Sequence, residues 1–398
     1  MKSAILRVVV LVLCLCGAVS AQRWNPTVEI GRGWNNLDMV FDSAGHVYLV
    51  WAGLNFSRSP DNGSTWSEPV FLGPQNGRPG NPDIAIDSSG VLYAVVEFMP
   101  TGADIYQLYF TKSVNGGVSW TTPVKITNTA KHTAWPKIEV DAIDRVHVFW
   151  QDQCNLQNWS DPPLPGCTTN EYYHLISTDY GESWSAPHLV VSTGYWGWTL
   201  HSAVDSTGAI YGFWSYRPSL EEPAGLYMHK STDGGVTWTR TWLGWGNESG
   251  VSIDGNDTVH VILAREPEPG HFEFVYRRGA NGGGTWTDPE VIGMGNGKSD
   301  YNPHAWCSIA ADRNSKNIVV AWQDGSSGNF EVYGRRSPNG GKTWQKVENV
   351  SGTPMPSHQP EIFIDRDSVA HIVWNEVLIG EPNFDFRVYY RRGPLRGN

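Results

Sequence analysis

The stretch Ser59-Pro60-Asp61-Asn62-Gly63-Ser64-Thr65-Trp66 decides the fold, because the chain repeats its pattern. The pattern is Ser-x-Asp/Asn-x-Gly-x-Ser/Thr-Trp. Five further copies end at Trp120, Trp184, Trp238, Trp286 and Trp344, and the copy at Trp286 has lost the Ser. Asp and Ser side chains bond nearby backbone amides in turns, and Gly takes positive φ at no steric cost. Six copies therefore predict six tight turns in a repeat architecture.

A second repeat runs out of phase with the first. It consists of an alternating strand, a turn that begins at Asp, and another strand that usually ends in Trp. The turns begin at seven Asp residues: Asp42, Asp87, Asp141, Asp205, Asp254, Asp312 and Asp365. Period-two alternation with Asp and Gly between the strands is typical of hairpins. Each unit then holds four strands, and such units repeated radially form a propeller.

The two chain ends explain why seven hairpins accompany only six boxes. Residues 23–30 resemble the segment that follows each box, and residues 387–393 resemble the strand that precedes each box. We therefore predict an all-β, seven-bladed β-propeller of four-stranded blades, with the N- and C-terminal strands closing one blade. A six-bladed ring is the alternative.

Composition and the N-terminus set the class of protein. The net charge of −11 opposes nucleic-acid binding, because phosphate backbones are repelled by an acidic surface. Residues 1–21 have a basic start, an apolar stretch and small residues before the expected cut, as a signal peptide does. No later stretch is apolar for long enough to predict a membrane span. We expect a secreted or periplasmic protein with residues 22–398 as a single domain.

Three cysteines remain after the expected cleavage. Cys154 and Cys167 flank a Pro-rich insertion, and an oxidising compartment would allow a disulfide between them. Cys307 starts an apolar strand and is expected to be an inert core thiol.

The eight-residue box resembles the Asp-box (BNR) repeat, and the whole mature chain resembles sialidase-like propellers. The resemblance implies fold more than activity, because the same box occurs in glycosidases, lyases, receptors and lectins. It also implies that the boxes lie away from the active site. Function is therefore expected on the opposite face, formed by the loops that lead into each first strand and the loops between the middle strands.

Aromatic residues concentrate in the loops that lead into the first strands. Planar rings around a pocket suit sugar faces, so a glycan is the expected partner. The candidate substrate-binding residues are Arg32, Trp34, Trp135, Trp196, Trp198, His201, Trp245, His304 and Trp306. The histidines of these loops form no compact zinc signature, so neither metal nor cofactor is predicted.

Similarity to sialidases implies three catalytic residues. In that chemistry a Tyr activated by a Glu replaces the carboxylate nucleophile, and arginines clamp the carboxylate of the substrate. The best match places Glu248 as the activating residue, Arg265 as a clamp and Tyr301 as the nucleophile. The sequence departs from the family in lacking its Phe/Tyr-Arg-Ile-Pro opening, where Arg32-Gly33-Trp34 stands instead, and in lacking a clear third clamp Arg.

Three functions remain open from the sequence. The first is an exo-acting glycoside hydrolase, with exo-sialidase as the leading subtype. The second is a non-catalytic glycan-binding or adhesion propeller, and the third is a polysaccharide lyase that uses a Tyr/His pair. Four acidic residues at the ends of second strands are either catalytic or solvated turn residues: Glu97, Asp152, Asp324 and Glu376.

Overall fold

The computed structural model describes residues 24–33, 35–154, 169–193, 197–246, 248–296, 305–314, 316–378 and 385–395, without the side chains of residues 197–199 and 248. The described part contains 29 strands in seven antiparallel sheets. Each sheet is one blade of four strands, and blade 5 has a fifth short strand. The seven-bladed prediction is confirmed.

The strands follow one another blade by blade along the chain. The first strand is β1 (Val28–Arg32), which belongs to blade 7. Blade 1 holds β2 (Asp38–Phe41), β3 (Val47–Trp51), β4 (Asn55–Ser59) and β5 (Val70–Phe71). Blade 2 holds β6 (Gly77–Ile86), β7 (Leu92–Pro100), β8 (Gln107–Ser113) and β9 (Val124–Lys125). Blade 3 holds β10 (His132–Val140), β11 (Val146–Gln153), β12 (Asn170–Ser177) and β13 (His188–Thr193).

The remaining blades repeat this order. Blade 4 holds β14 (Gly197–Val204), β15 (Ile210–Tyr216), β16 (Gly225–Ser231) and β17 (Thr239–Gly244). Blade 5 holds β18 (Glu248–Ile253), β19 (Val259–Glu268), β20 (His271–Gly279), β21 (Thr285–Trp286) and β22 (Glu290–Asn296), with a single helical turn, α1 (Ala280–Gly283), inside its box. Blade 6 holds β23 (Cys307–Ala311), β24 (Ile318–Asp324), β25 (Glu331–Ser337) and β26 (Glu348–Asn349). Blade 7 holds β27 (Ser357–Ile364), β28 (Val369–Leu378) and β29 (Asp385–Pro394), and β1 is its outer strand.

The two ends of the chain close the ring as predicted. Val28 pairs with Tyr390 and Arg32 pairs with Arg387 in an antiparallel register. The amide of Asn25 donates to the carbonyl of Arg392 at 2.8 Å, so the pairing continues beyond the N-terminal end of β1. Pairing with β1 covers the edge of β29, which would otherwise be a free sheet edge.

The box turn is held by its own Ser and Asp. In blade 1 the amide of Gly63 donates to the Ser59 hydroxyl at 2.7 Å, and the amide of Thr65 donates to the Asp61 carboxylate at 2.7 Å. Gly63 has φ +83°, in the left-handed region that Gly tolerates. The same bonds recur in blade 3 around Asp179. The turn prediction is therefore confirmed at the level of individual hydrogen bonds.

Each box also packs against the blade before it. In every blade except blade 6, the residue three positions before the box Ser, or before its equivalents Gly279 and Gly393, packs against the box of the next blade. In blade 1 this residue is Phe56, and Trp120 of blade 2 packs edge-on against it with ring centroids 5.0 Å apart. A Cβ on Gly117 would lie 2.3 Å from the Phe56 ring, so only Gly fits there. The box Gly and Trp thus form a clamp on a ring of the neighbouring blade.

The Asp turns are fixed by a second repeated contact. In blade 2 one carboxylate oxygen of Asp87 accepts the amides of Ser89 and Val91, both at 2.9 Å, and the other accepts the Tyr93 hydroxyl at 2.7 Å. The residue six positions after the turn Asp repeats this role as Tyr or His in six blades: Tyr48, Tyr93, His147, Tyr211, His260 and His371.

The core lies between the blades. The Trp residues that end second strands are all under 2% exposed: Trp51, Trp150, Trp214, Trp322 and Trp374. Cys307 is buried, as expected, and forms no disulfide. The predicted disulfide partner Cys167 and residues 1–21 lie outside the described residues, so the disulfide and the signal peptide stay predictions. Within the described chain, no helix is long and apolar enough to cross a membrane.

Candidate functional site at the upper face

The topology places the predicted functional loops on one face, here called the upper face. Each first strand ends at an Asp turn, and the second strand runs back from that turn. The loops into the first strands and the ends of the second strands therefore meet on the side away from the Asp turns and boxes. Among the residues that the structure describes, the predicted site is therefore sought on the upper face.

Bulges interrupt several first strands where they reach the upper face. The pairing register shifts between Pro79 and Pro82, between Ala134 and Lys137, and between His358 and Glu361. Trp135 and Gln359 in these bulges have φ +55° and +52°, which non-Gly residues rarely adopt. Bulges of this kind re-aim side chains and recur near functional sites.

Side-chain amides link blades 6, 7 and 1 across the mouth of the central channel. The Gln323 side-chain carbonyl accepts the backbone amide of Gln359 at 3.1 Å. The Asn375 side-chain carbonyl accepts the backbone amide of Asn35 at 2.9 Å, and its NH₂ donates to the carbonyl of Gly33 at 3.1 Å. Each bond crosses from one blade to the loop that leads into the next.

The same chain of contacts continues from blade 1 into blade 2. The Asn36 NH₂ donates to the side-chain carbonyl of Asn81 in a very short contact. One Glu97 carboxylate oxygen accepts both the backbone amide and the NH₂ of Asn81, at 2.9 and 2.7 Å. The residues joined by these bonds are here called the amide network: Asn35, Asn36, Asn81, Glu97, Gln323, Gln359 and Asn375.

His358 lies beside the amide network, since it pairs with Asn375 across the sheet. Its side chain is buried against Phe330, with ring centroids 5.0 Å apart. Neither ring nitrogen has a hydrogen-bond partner in the described part of the chain. Burial lowers the pKa of His358 to about 4, so the ring is neutral at pH 7 and offers one donor and one acceptor.

Below the mouth, charged side chains tie the first strands together. Asp83 of blade 2 accepts the Lys137 ammonium at 2.6 Å and the amide of Ile138 at 2.8 Å. Burial disfavours the charge on Lys137, but Asp83 and Asp38 outweigh burial and raise its pKa. In blade 6 the Ser308 hydroxyl donates to Glu361 of blade 7 at 2.7 Å. These contacts satisfy inner-strand backbone groups and fix the blades around the axis.

The four acidic residues at second-strand ends are buried, so the solvated-turn interpretation is wrong for them. Asp152 accepts the Trp150 indole N–H at 2.8 Å, and Glu376 accepts that of Trp374 at 3.1 Å. Burial raises the pKa of Asp152 to about 7. Asp324 accepts the amide of Asn296 at 2.8 Å instead.

The structure leaves the predicted catalytic trio untested. Glu248 pairs with Ala264 through the backbone, next to Arg265, but its side chain lies outside the described residues. Tyr301 lies outside them altogether. The Arg265 guanidinium donates to Glu273 of its own blade at 2.7 Å. An arginine clamp at this position would have to share the guanidinium with Glu273.

The predicted substrate-binding residues differ in how deeply they are buried. Arg32 is 74% exposed and 3.7 Å from Asp385, and Trp245 is 43% exposed. Trp135 is partly buried against the core between blades 3 and 4. The His201 imidazole Nε2 bonds the carbonyl of Ser249 at 2.8 Å, and burial lowers its pKa to about 4.

Trp306 is half-buried, and its carbonyl accepts the amide of Gln323 at 3.1 Å, which joins it to the amide network. The remaining predicted residues lie outside the described residues: Trp34, Trp196, His304 and the side chain of Trp198. Over the residues that the structure describes, no group of three or more His, Cys, Asp or Glu side chains is arranged to hold a metal.

A family model decides the identity of the fold. The model of the BNR repeat-like domain family matches residues 100–372, more than half of the chain. The chain belongs to the BNR repeat-like family. Solved structures agree with this BNR repeat-like assignment in fold: a protein of unknown function from Dyadobacter fermentans superposes with a TM-score of 0.56 at 13% identity, over 81% of this chain and 97% of that one.

Two glycosidases share the fold of this BNR repeat-like chain. The α-L-arabinofuranosidase Arb93a from Fusarium graminearum has a TM-score of 0.54 at 14% identity, over 80% of this chain and 95% of that one. The NanB sialidase from Streptococcus pneumoniae has a TM-score of 0.51 at 13% identity, over 94% and 71% of the two chains. Identities this low show the fold alone. No curated protein matches the chain.

Proposed function

We propose that this BNR repeat-like protein binds glycans at the mouth of its central channel, on the upper face. The amide network is the observation that supports the proposal. Three of its members, Asn35, Asn36 and Gln359, are partly exposed and present neutral side-chain amides from the loop into blade 1 and from blade 7. Sugar hydroxyls need donors and acceptors at close spacing, and an amide side chain offers both.

The charged side chains near the site are already paired within the protein, which favours a neutral sugar over an ionic partner. Lys137 below the mouth is paired with Asp83, and Glu97 is committed to Asn81. The charges near the mouth are therefore paired within the protein, and the partly exposed side chains of Asn35, Asn36 and Gln359 are the members of the amide network that a ligand can reach. We also propose export through residues 1–21, which would bring the site to extracellular glycans.

Exo-acting glycoside hydrolysis, with sialidase as the leading subtype, is the second candidate function. The observation that favours it is the pKa of Asp152, which burial raises to about 7 at the upper end of β11. A carboxyl group that stays protonated near neutral pH is what a general acid requires. Glu248, Arg265 and Tyr301 remain the proposed partners if the substrate is a sialoside.

Glycan-array screening followed by calorimetry tests the binding proposal. Asn36→Gly and Gln359→Gly remove the amide side chains and keep the left-handed backbone that Asn36 and Gln359 adopt, with φ +47° and +52°. We expect each change to weaken binding of the best array ligand by at least about tenfold. Asn62→Gly makes the same change at φ +55° in a box turn on the opposite face and is the matched control. Equal affinity in all three variants would exclude the upper face as the site.

A panel of fluorogenic glycosides tests hydrolysis. Asp152→Asn keeps an acceptor for Trp150 but has no acidic proton, so turnover should fall by about 100-fold or more if Asp152 is the acid. Asp324→Asn is the control at an equivalent strand end. Loss of turnover in Tyr301→Phe with intact binding would support the sialidase subtype. Binding without turnover of any glycoside would leave recognition as the function.

A further inference from the structure

Trp242 lies on the outer strand of blade 4 with 43% of its surface exposed. It directly precedes the buried Leu243, as Phe71 precedes the buried Leu72 in blade 1. The outer strands at this position face solvent in both blades, so blade packing does not require an indole there. The exposed part of the Trp242 indole is a candidate contact for a ligand with an apolar face.

Gly225 leaves room for the Trp242 indole on the blade. A Cβ on Gly225 would lie 2.9 Å from the indole nitrogen and 2.2 Å from the carbonyl of Gly244, so no other residue fits at that position. The indole N–H donates to the carbonyl of Ala224 at 3.4 Å. One edge of the ring is therefore fixed against the strand, and the rest is open to solvent.

An ion pair stands next to the indole. Arg240 lies two residues before Trp242 and so points to the same side of β17. Its guanidinium forms a very short salt bridge with Glu222, and both side chains are 39% exposed. The guanidinium also lies 5.4 Å from the centre of the Tyr227 ring, and the Tyr227 hydroxyl donates to the carbonyl of Pro223 at 2.6 Å. These contacts hold the pair in one geometry.

We propose that Trp242, Arg240 and Glu222 form a second carbohydrate-binding site, on the outer edge of blade 4, that takes a neutral pyranose. The apolar face of a pyranose stacks on an indole, while a guanidinium donates to hydroxyl oxygens and a carboxylate accepts from hydroxyl groups. Arg240 and Glu222 neutralise each other in their ion pair, so the site has no net charge with which to select an anionic or a cationic sugar. This site is independent of the proposed function of the upper face.

A protein partner fits these residues less well than a sugar. Charged residues are depleted at the fully buried centre of a protein interface. Here the Trp242 ring is flanked by a solvent-exposed charged pair. The arrangement suits a small polyhydroxylated ring, and a long polysaccharide would lie along the rim of the propeller.

Affinity electrophoresis of the full-length protein in gels containing soluble neutral glucans, mannans or xylans tests the site. We expect retardation by at least one of these polymers, and at least about tenfold weaker retardation for Trp242→Ala. Arg240→Met with Glu222→Gln should weaken it as well. Phe71→Ala is the matched control, because Phe71 is 41% exposed at the equivalent position without a neighbouring ion pair, and it should bind as the wild type does.

Three results would overturn the second site. The first is no retardation by any of the neutral polymers. The second is equal retardation of Trp242→Ala and wild type. The third is a dimeric wild type that Trp242→Ala converts to a monomer in sedimentation velocity, which would make a second copy the occupant. Asn36→Gly should leave the retardation unchanged, so failure here is distinguishable from failure of the upper-face proposal.

Discussion

Gly334 of blade 6 and Trp24 of blade 7 line one cavity at the boundary between the two blades. Gly334 stands three residues before its box Ser, where blades 1, 2, 3, 4, 5 and 7 carry a ring or Met: Phe56, Phe110, His174, Met228, Tyr276 and Tyr390. Blade 7 is also the blade whose outer strand follows no box. The ring and the box turn are therefore both missing at this boundary, while Trp24, in the place of a box Trp, still packs against the core there.

The clamp predicts strong coupling between a box Gly and the ring that it contacts. Phe110→Ala in blade 2 should lower the free energy of unfolding by about 3–5 kcal/mol, because it empties the space between Gly181 and Trp184. Gly181→Ala should destabilise as well, since its Cβ would lie 2.3 Å from that ring. Urea unfolding of both single variants and of the double variant measures the coupling.

In the double variant, Gly181→Ala should cost less than in the wild type, because the clash partner has gone and only the strain of φ +82° remains. Additive costs would mean that the two residues do not contact each other in solution.

Removal of the first strand should weaken the whole ring. A variant without residues 22–30 exposes β29 as a free edge and loses the pairing of Val28 with Tyr390. We expect a single cooperative unfolding transition at a lower urea concentration. Glu29→Ala, which removes only a partly exposed partner of Arg387, should change the midpoint little. A separate early transition with the main midpoint unchanged would show that β1 merely frays.

The box carboxylates predict a pH dependence that Asn boxes lack. The Ser183 hydroxyl and amide donate to Asp179 and lower its pKa to about 2. The ionised form therefore stabilises the fold above about pH 4, and this contribution is lost as the pH falls toward 2. Asp179→Asn copies the natural boxes at Asn115 and Asn339. Its melting temperature should match the wild type near pH 7 and fall less steeply between pH 4 and 2; parallel curves would contradict the shift.

Buried neutral histidines predict a second loss of stability at milder acidity. Burial lowers the pKa of His358 to about 4, whereas the unfolded side chain titrates near 6.5. Protons then favour the unfolded chain as the pH falls below 6.5, by about 3 kcal/mol once pH 4 is reached. His358→Leu should flatten the curve of unfolding free energy against pH in this range. His188→Leu, at an exposed site, should leave the curve as it is.

The repeats in the sequence were sufficient to predict the ring, its seven blades and its closure. Asp87 and Ser59 have the same bonding role in blade after blade, so their spacing is visible as periodicity. The resemblance to sialidases predicted the surroundings of the site residues less well than the repeats predicted the ring. Arg265, expected as a free clamp, is paired with Glu273, and Trp135, expected to face a sugar, is partly buried between two blades.

The amide network could not be predicted from the sequence, because the residue type at its positions differs from blade to blade. Glu97, Gln323 and Asn375 occupy comparable strand ends with three different side chains, each matched to the loop that leads into a first strand. One signal was present: Pro82, Pro136 and Pro360 each stand five residues before a turn Asp. That spacing marks the bulges, since Pro cannot donate to the ladder.

Ring closure also sets the order in which the chain can fold. Glu29 and Arg387 bond at 2.7 Å although 358 residues separate them. The contacts within blades 1–6 join segments close in sequence, and each blade packs on the one made just before it. Blade 7 alone must bring together the two most distant parts of the chain. Closing a loop of this length costs conformational entropy, and no contact between neighbouring segments compensates for that cost beforehand. Docking of β1 onto β29 is therefore expected as the last step of folding, and the rate of that step should govern how long the open edge of β29 stays available for pairing with another chain.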